Sequence, residues 1–283
     1  MDKGYARVTA FRLGDASAAG SDCAVIVEDA LTIDVEGVGA YTLMWTPTEP
    51  RRAAAAYTAL DGLLGGGAEA LRLAIGFVFT EGLIEGLDDL RHAAFCPDDP
   101  GVVRIVLREP GRAKVRRRDV VVTSSCGVCG GRDAALALEG GLPEARDGLT
   151  ADGPMLAALM SEMERRQTVF GATGGAHACA LFGPGGAMLA AAEDLGRHNA
   201  LDKVIGHGLL QGVAMGDCGA VLSSRLSVEM VAKAARAGLQ IVAAVSAPTS
   251  LAIELAARRR ITLLGFVRDG GGTVYTCPWR VLG

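Results

Sequence analysis

The sequence predicts an α/β protein in two parts, a smaller α+β domain over residues 1–118 and a larger α/β domain over 119–283. Three observations predict it. From residue 177 onward, short apolar runs alternate with stretches of helical periodicity, the pattern of a largely parallel sheet covered on both faces by crossover helices. Before residue 118, strand-like and helix-like stretches follow one another in no repeating order. The 283 residues, 50% hydrophobic and 21% charged, suit one large or two modest globular domains with no disordered character.

In chain order, residues 24–27, 31–35 and 41–45 read as short strands separated by Glu-Asp and glycine signals. Residues 51–64 are alanine-rich and helix-like, and Leu64-Gly65-Gly66-Gly67 closes them. A second helix is expected over 69–79, with Leu71, Ile75 and Val78 on one face, and 102–107 alternates as a strand. A Gly/Pro/Asp-rich connection over 139–153 leads into helical periodicity at 154–166. Strands at 177–182 and 187–192 follow, then helix 199–210, strand 219–222, helix 226–237, strand 241–245, helix 249–259 and strand 261–267. The C-terminal end is available to complete part of the smaller domain. No internal repeat is found.

The most distinctive stretch is Thr123-Ser124-Ser125-Cys126-Gly127-Val128-Cys129-Gly130-Gly131, entered by the apolar run 120–122. Two cysteines two residues apart can face one site, chelate a metal or exchange sulfur. The three glycines cost backbone entropy within a helix or strand and read as an exposed loop that lets a bulky group approach the thiols. A structural zinc site needs two further ligands at matched spacing, and the chain has neither a second Cys-x-x-Cys nor a His-x(3–5)-His pair. Reactive sulfur is therefore the preferred reading, with no metal.

Composition narrows the classes. A net charge of −4 argues against general nucleic-acid binding, which needs a basic surface. The local exception, Lys114-Val115-Arg116-Arg117-Arg118, reads as a solvated strand edge, with docking of an anionic partner as the alternative. No apolar run approaches the roughly 20 residues of a membrane helix, and the N-terminus lacks a signal-peptide core. Seven cysteines, an odd number, fit a reducing cytoplasm. Cys23, Cys96, Cys218 and Cys277 are assigned to the buried class.

Polar residues gather after the strands of the second half. They are the run from Glu193 through Gly196-Arg197-His198-Asn199 to Lys203, then Ser223-Ser224-Arg225-Leu226-Ser227, then Ser246-Ala247-Pro248-Thr249-Ser250. Each lies at an expected helix N-terminus, where free N–H groups and the helix dipole favour phosphate. Capping alone could explain any one of them: Asn199 with Asp202 resembles a capping box, and Pro248 suits a first turn. An anionic ligand better explains Arg197, His198 and Arg225 at successive strand ends. His177 follows the turn Thr173-Gly174-Gly175; a structural role is the commoner reading for such a histidine, and close approach of a ligand is the alternative. His92 and His207 receive no role.

Together the motifs Ser-Ser-Cys-Gly-Val-Cys-Gly, Thr-Gly-Gly-Ala-His-Ala, Glu-Asp-Leu-Gly-Arg-His-Asn-Ala-Leu-Asp-Lys, Ser-Arg-Leu-Ser-Val-Glu-Met, Ser-Ala-Pro-Thr-Ser-Leu-Ala and Gly-Phe-Val-Arg resemble, in this order, the FdhD family of formate dehydrogenase accessory sulfurtransferases. The likeness runs from about residue 28 to 276. It implies a cytoplasmic homodimer whose larger domain is cytidine-deaminase-like, a three-layer fold. Such a protein takes sulfur from a cysteine desulfurase and passes it to the bis(molybdopterin guanine dinucleotide) molybdenum cofactor, a bound substrate rather than a permanent cofactor, destined for the catalytic subunit of formate dehydrogenase. The resemblance places cofactor contacts on Phe266, Val267, Arg268, Asp269, Gly270 and Gly271, and with the strand-end reading on Arg197, His198, Arg225 and His177. The chain departs from the family pattern in a longer insert between Thr46-Pro47 and Leu73-Ala74-Ile75-Gly76-Phe77, in Ser224 before Arg225, and in Asp269-Gly270-Gly271-Gly272-Thr273, where the family has a basic residue and an Asn.

The expected chemistry is thiolate chemistry: Cys126 attacks the desulfurase persulfide and carries the terminal sulfur, and Cys129 relays it or helps release it. Three rivals come from other classes. A zinc deaminase needs a His-x-Glu or Cys-x-Glu upstream of its Pro-Cys-x-x-Cys, and none occurs before Cys126. A thiol-disulfide oxidoreductase needs no anion-binding loops. A non-enzymatic cofactor chaperone for formate dehydrogenase keeps those loops and does not depend on the thiols.

Overall fold

The computed structural model describes residues 4–11, 13, 20–49, 56–58, 62–64, 68–113 and 140–283. The Cys126/Cys129 stretch, the 114–118 basic run and the expected domain boundary at 118/119 lie outside the described residues.

The first half is built on a mixed six-stranded sheet in the order β4-β3-β8-β7-β5-β6. Its strands are β3 (Asp29–Val35), β4 (Gly39–Trp45), β5 (Ala56–Thr58), β6 (Gly62–Leu64), β7 (Leu90–Phe95) and β8 (Val102–Leu107). β1 (Tyr5–Ala10) and β2 (Ser21–Ile26) form a separate antiparallel ribbon. The helix expected over 51–64 is corrected: β5 and β6 are short strands, β5 pairing with β7 through Tyr57 and Ala93. The alanine content of this stretch favours helix only weakly. Tyr57 and Thr58 are strand formers, Asp61-Gly62 is a hairpin signal in the sequence, and sheet pairing prevails.

Helix α1 (Glu69–Thr80) carries Glu69 in its first turn and is buried on nearly every side. A helix that is apolar all round belongs between layers, and α1 lies between the first sheet and the helices of the second half. Its crossing with α4 (Arg197–Leu210) depends on glycine. A Cβ on Gly76 would stand 1.9 Å from the Asp202 carbonyl oxygen, and one on Gly206 would stand 1.9 Å from the Arg72 carbonyl oxygen. The two backbones touch because neither position has a side chain.

The second half holds β9 (Ala151–Asp152), α2 (Gly153–Arg166), α3 (Thr168–Thr173), β10 (His177–Phe182), β11 (Met188–Asp194), α4, β12 (Gly219–Leu222), α5 (Val228–Arg236), β13 (Ile241–Ala244), α6 (Ser250–Arg258), β14 (Thr262–Arg268), β15 (Gly271–Thr276) and β16 (Val281–Leu282). The main sheet runs β11-β10-β12-β13-β14-β15. Only β12–β13 and β13–β14 pair in parallel; β10, β11 and β15 are antiparallel additions, which corrects the expectation of a largely parallel sheet. The connections explain it. The turn around Gly185 and Gly186, both left-handed, is too short for a crossover, and so is the two-residue turn Asp269-Gly270 with φ of 50° and 78°. Both can close only hairpins.

Alternation along the strands divides the core. Cys179, Leu181, Ala220, Leu222, Val242, Ala244 and Leu263 face α4, α5 and α6 and share one cluster with α1 and the first sheet. Ala178, Ala180, Phe182, Val221, Ile241, Ala243, Leu264 and Val267 face α2. The described residues therefore stack as sheet, helices, sheet and helix, with the two halves joined by a continuous core. The start of α2 was legible: Asp152 accepts from the Met155 N–H at 2.8 Å, and Pro154 occupies the first turn. The C-terminal β16 pairs with β9. Among the described residues no helix is long and apolar enough to cross a membrane.

Candidate functional site

Five consecutive strands of the main sheet deliver polar residues to one edge. β12, β13 and β14 end there, and antiparallel β10 begins there, so His177 comes to the same edge and stands opposite Asp194 at the end of β11. The loops are tied together. Ser223 Oγ accepts from the Ala178 N–H at 2.8 Å. The Leu226 N–H donates to the Ala247 carbonyl and the Thr249 N–H to the Leu226 carbonyl, at 3.1 and 2.9 Å. The Phe266 N–H donates to the Ser246 carbonyl at 3.3 Å.

On this shelf His177, Arg197, His198 and Arg225 come within electrostatic range of one another. Burial holds the His177 imidazole below its ordinary range, Arg197 and then Arg225 press it further down, and Asp194 opposes them. Burial also lowers Arg197, against the attraction of Glu229 and with repulsion from Arg225. His198 Nε2 lies 3.2 Å from Glu229 Oε2, yet is not aligned to form a hydrogen bond. Arg197 Nε and Ser227 Oγ are likewise buried without a hydrogen-bond partner among the described residues. Buried donors without partners are costly.

The helix N-termini separate the capping alternative from the ligand reading. Gly196 and Ser227 precede α4 and α5, and neither makes a side-chain cap; Thr249 does cap α6, accepting from the Ala252 N–H. Capping therefore explains the third cluster and not the first two. Nor do Asn199 and Asp202 form the capping box that their spacing resembles, because both are buried inside α4. Asn199 donates to Met44 O and Asp194 Oδ1, and Asp202 meets Lys233.

Most of the Glu193-to-Lys203 string proves to be framework. Glu193 accepts from the Val169 and Phe170 N–H groups and so caps α3. Lys203 Nζ, fully buried, donates to Thr46 O at 2.8 Å, Glu69 Oε1 at 2.6 Å and Glu193 O at 2.9 Å, and lies 2.8 Å from Asp194 Oδ2. Its pKa is raised: burial opposes the charge, but Asp194 and Glu69 outweigh it. Only Arg197 and His198 face the shelf. Sequence reasoning missed Ser227, Glu229 and Asp194, which carry no signal beyond polar residues beside helix starts.

The 266–271 segment divides. Phe266 is half exposed, at a left-handed φ of 56° that a bulky residue rarely adopts, beside Ser246 and Pro248. Val267 is buried against α2. Arg268 is exposed and pairs with Gly271 across the hairpin. Asp269 and Gly270 form its turn, with the Gly270 carbonyl packed against Gly153 at the start of α2. This turn thus leans toward the face of the sheet opposite α4. Ser224 is buried with Oγ on the Arg225 carbonyl.

Among the other cysteines, Cys179, Cys218 and Cys277 are buried. Burial pushes Cys218 up to about 11 and raises Cys179 and Cys277 too. Cys23 and Cys96 are half-buried, which corrects their assignment to the buried class.

Comparison with known proteins adds to this geometry. The model of the FdhD/NarQ family matches residues 66–282. The sulfur carrier protein FdhD of Bordetella parapertussis is 37% identical over 278 residues, 97% of this chain and 93% of its own. That of Anaeromyxobacter dehalogenans is 40% identical over 273 residues, 89% of this chain and 86% of its own. A crystal structure described as a formate dehydrogenase accessory protein, from Desulfotalea psychrophila, superposes with a TM-score of 0.72 at 22% identity over 98% of both chains, a likeness of fold.

Proposed function

The chain belongs to the FdhD/NarQ family, and from that premise we propose that it is a sulfur carrier that serves the maturation of a formate dehydrogenase. Cys126 takes the outer sulfur of a cysteine desulfurase persulfide: its thiolate attacks that sulfur, a new S–S bond forms, and the desulfurase thiolate leaves. Attack by the Cys129 thiolate on the Cys126 sulfur then releases the terminal sulfur as hydrosulfide and leaves a Cys126–Cys129 disulfide for a cellular thiol to reduce. The acceptor is the bis(molybdopterin guanine dinucleotide) cofactor, handled as substrate.

One observation supports the cofactor half of this reading: His177, Arg197, His198 and Arg225 gather where α4 and α5 begin without side-chain caps. Forked guanidinium donors and backbone N–H groups at helix starts suit nucleotide phosphates, and the exposed Phe266, whose N–H meets the Ser246 carbonyl in the loop after β13, offers a face for a purine. The buried thiols, held protonated by burial, make poor nucleophiles, which supports assigning the sulfur chemistry to Cys126 and Cys129. We read the stack of α2, main sheet and α4–α6 as the cytidine-deaminase-like three-layer arrangement, and the protein as a cytoplasmic homodimer.

The test is maturation of formate dehydrogenase in cells lacking the native protein. Cys126→Ala is expected to fold as wild type and restore no dehydrogenase activity. Full restoration would refute the persulfide role and leave a cofactor chaperone as the function.

A further inference from the structure

The geometry points to Asp194 as the positioning residue of the anion shelf, an inference that rests on the site reading above. Its side chain is wholly buried and sits at the junction of three parts of the fold. Oδ1 accepts from the Gly196 N–H and from Asn199 Nδ2, each at 2.9 Å, which fixes the residue before α4 and a residue of its first turn. Oδ2 accepts from the Thr46 N–H at 3.1 Å and lies 2.8 Å from Lys203 Nζ, which ties that turn to β4 and, through Glu69, to the start of α1.

Arg197 and His198 lie between Gly196 and Asn199, the two residues that Oδ1 holds. Neither Arg197 Nε nor His198 Nε2 has a hydrogen-bond partner among the described residues, and Glu229 is the counter-charge beside both. The backbone of the turn sets where both side chains leave α4, and Asp194 holds that turn on either side of them. A carboxylate suits the task because it is acceptor-only and offers lone pairs to all four donors at once. An asparagine has one acceptor oxygen. With that oxygen drawn toward Lys203, its NH₂ would face the Gly196 N–H and the Asn199 amide, and the turn would lose both bonds.

Charge favours the same variant as a probe. Lys203 faces two carboxylates, Asp194 and Glu69, so Asp194→Asn leaves one ammonium against one carboxylate instead of a buried unpaired charge. Asp202 supplies the control. It is buried in the same helix and contacts Lys233 and Thr80, and Asp202→Asn leaves Lys233 its contact with Glu81. The Asp202 carboxylate bonds Thr80 and Lys233, neither of which belongs to the first turn of α4.

The experiment is calorimetric titration of the full chain with GDP, well below the melting temperature of each variant. Expected results are GDP binding by wild type, loss of it in Arg197→Ala, a fall of roughly tenfold in Asp194→Asn, and affinity within about twofold of wild type in Asp202→Asn, with both Asn variants melting at lower temperature than wild type. If Asp194→Asn binds as wild type while Arg197→Ala does not, positioning by Asp194 is refuted and the site reading stands. Equal losses in Asp194→Asn and Asp202→Asn would also refute it, as general destabilisation. No binding by wild type, or undiminished binding by Arg197→Ala, refutes the site reading and this inference with it. Should Asp194→Asn not fold, Asn199→Ala carries the test: it removes one of the two bonds to Oδ1, a severalfold fall is expected, and wild-type affinity would overturn the inference.

Discussion

At the scale of the residue, His177 is the group whose behaviour is most sensitive to what the shelf holds. Burial and the two arginines lower its pKa, so the folded protein carries it neutral at pH 7. Below the ordinary imidazole value of about 6.5 the unfolded chain takes up the proton first, so the contribution of His177 to stability is present above that pH and is lost as pH falls toward the folded pKa. A bound anion reverses the effect of the arginines and raises that pKa, so binding takes up a proton. GDP should therefore bind more tightly at pH 6 than at pH 7.5, with the excess removed in His177→Gln. An unchanged pH dependence in that variant would show that the nucleotide's own titration accounts for it.

Residues were also where the sequence was hardest to read. Arg197 and His198 were found because charges at strand ends are conspicuous. Asp194, Asn199, Asp202 and Lys203 stand in the same string, and their tasks were invisible because each depends on a partner far along the chain: Thr46, Met44, Thr80 and Glu69. Burial of a polar side chain is a tertiary fact, and a polar letter in a sequence reads as surface or site. Val267 shows the converse, a residue within a candidate binding segment whose side chain belongs to the core.

At the scale of the element, apolar runs and helical periodicity located α2, α4, α5 and α6 and the parallel strands β12, β13 and β14, whose apolar runs are buried on both faces, while the six-residue α3 is too short to show a period and escaped. The ribbon strand β1, together with β7 and β15, escaped, being short and half-exposed with weak alternation. The contact of α1 with α4 was equally illegible, although Gly76 and Gly206 are each a residue that a helix interior normally avoids. It yields a sharp expectation. Gly76→Ala sets a methyl group against the Asp202 carbonyl with no flexible side chain to yield. The cost should be about 1–3 kcal/mol or more, a fall in melting temperature of roughly 3–10 °C. Gly171→Ala, in α3 where a Cβ meets nothing within 4 Å, is the control and should not destabilise. Equal melting of Gly76→Ala and wild type would mean that the helices do not meet at glycine.

At the scale of the whole molecule, the joining of the two halves sets how the site is held. The cluster that packs α1 against the first sheet is continuous with the one beneath α4, α5 and α6, and the buried ammonium of Lys203 links Thr46 and Glu69 to Asp194 across the same boundary. The first half therefore serves as a buttress for the helix that bears Arg197 and His198. The proposed placement of the cofactor on this shelf and of the sulfur on Cys126 would divide the work between a sheet edge and a glycine-rich segment. The sequence marked that segment clearly, since two thiols among glycines form a pattern that needs no tertiary context.

The central claim is that Cys126 carries sulfur, and the most direct measurement is the mass spectrum of the intact protein after incubation with a cysteine desulfurase and cysteine. The wild-type chain should gain the mass of one sulfur atom, lost on treatment with a reducing thiol and traced by peptide mapping to Cys126, while Cys126→Ala gains none. An unmodified wild-type spectrum beside a demonstrably active desulfurase, or an equal gain in Cys126→Ala, would contradict it.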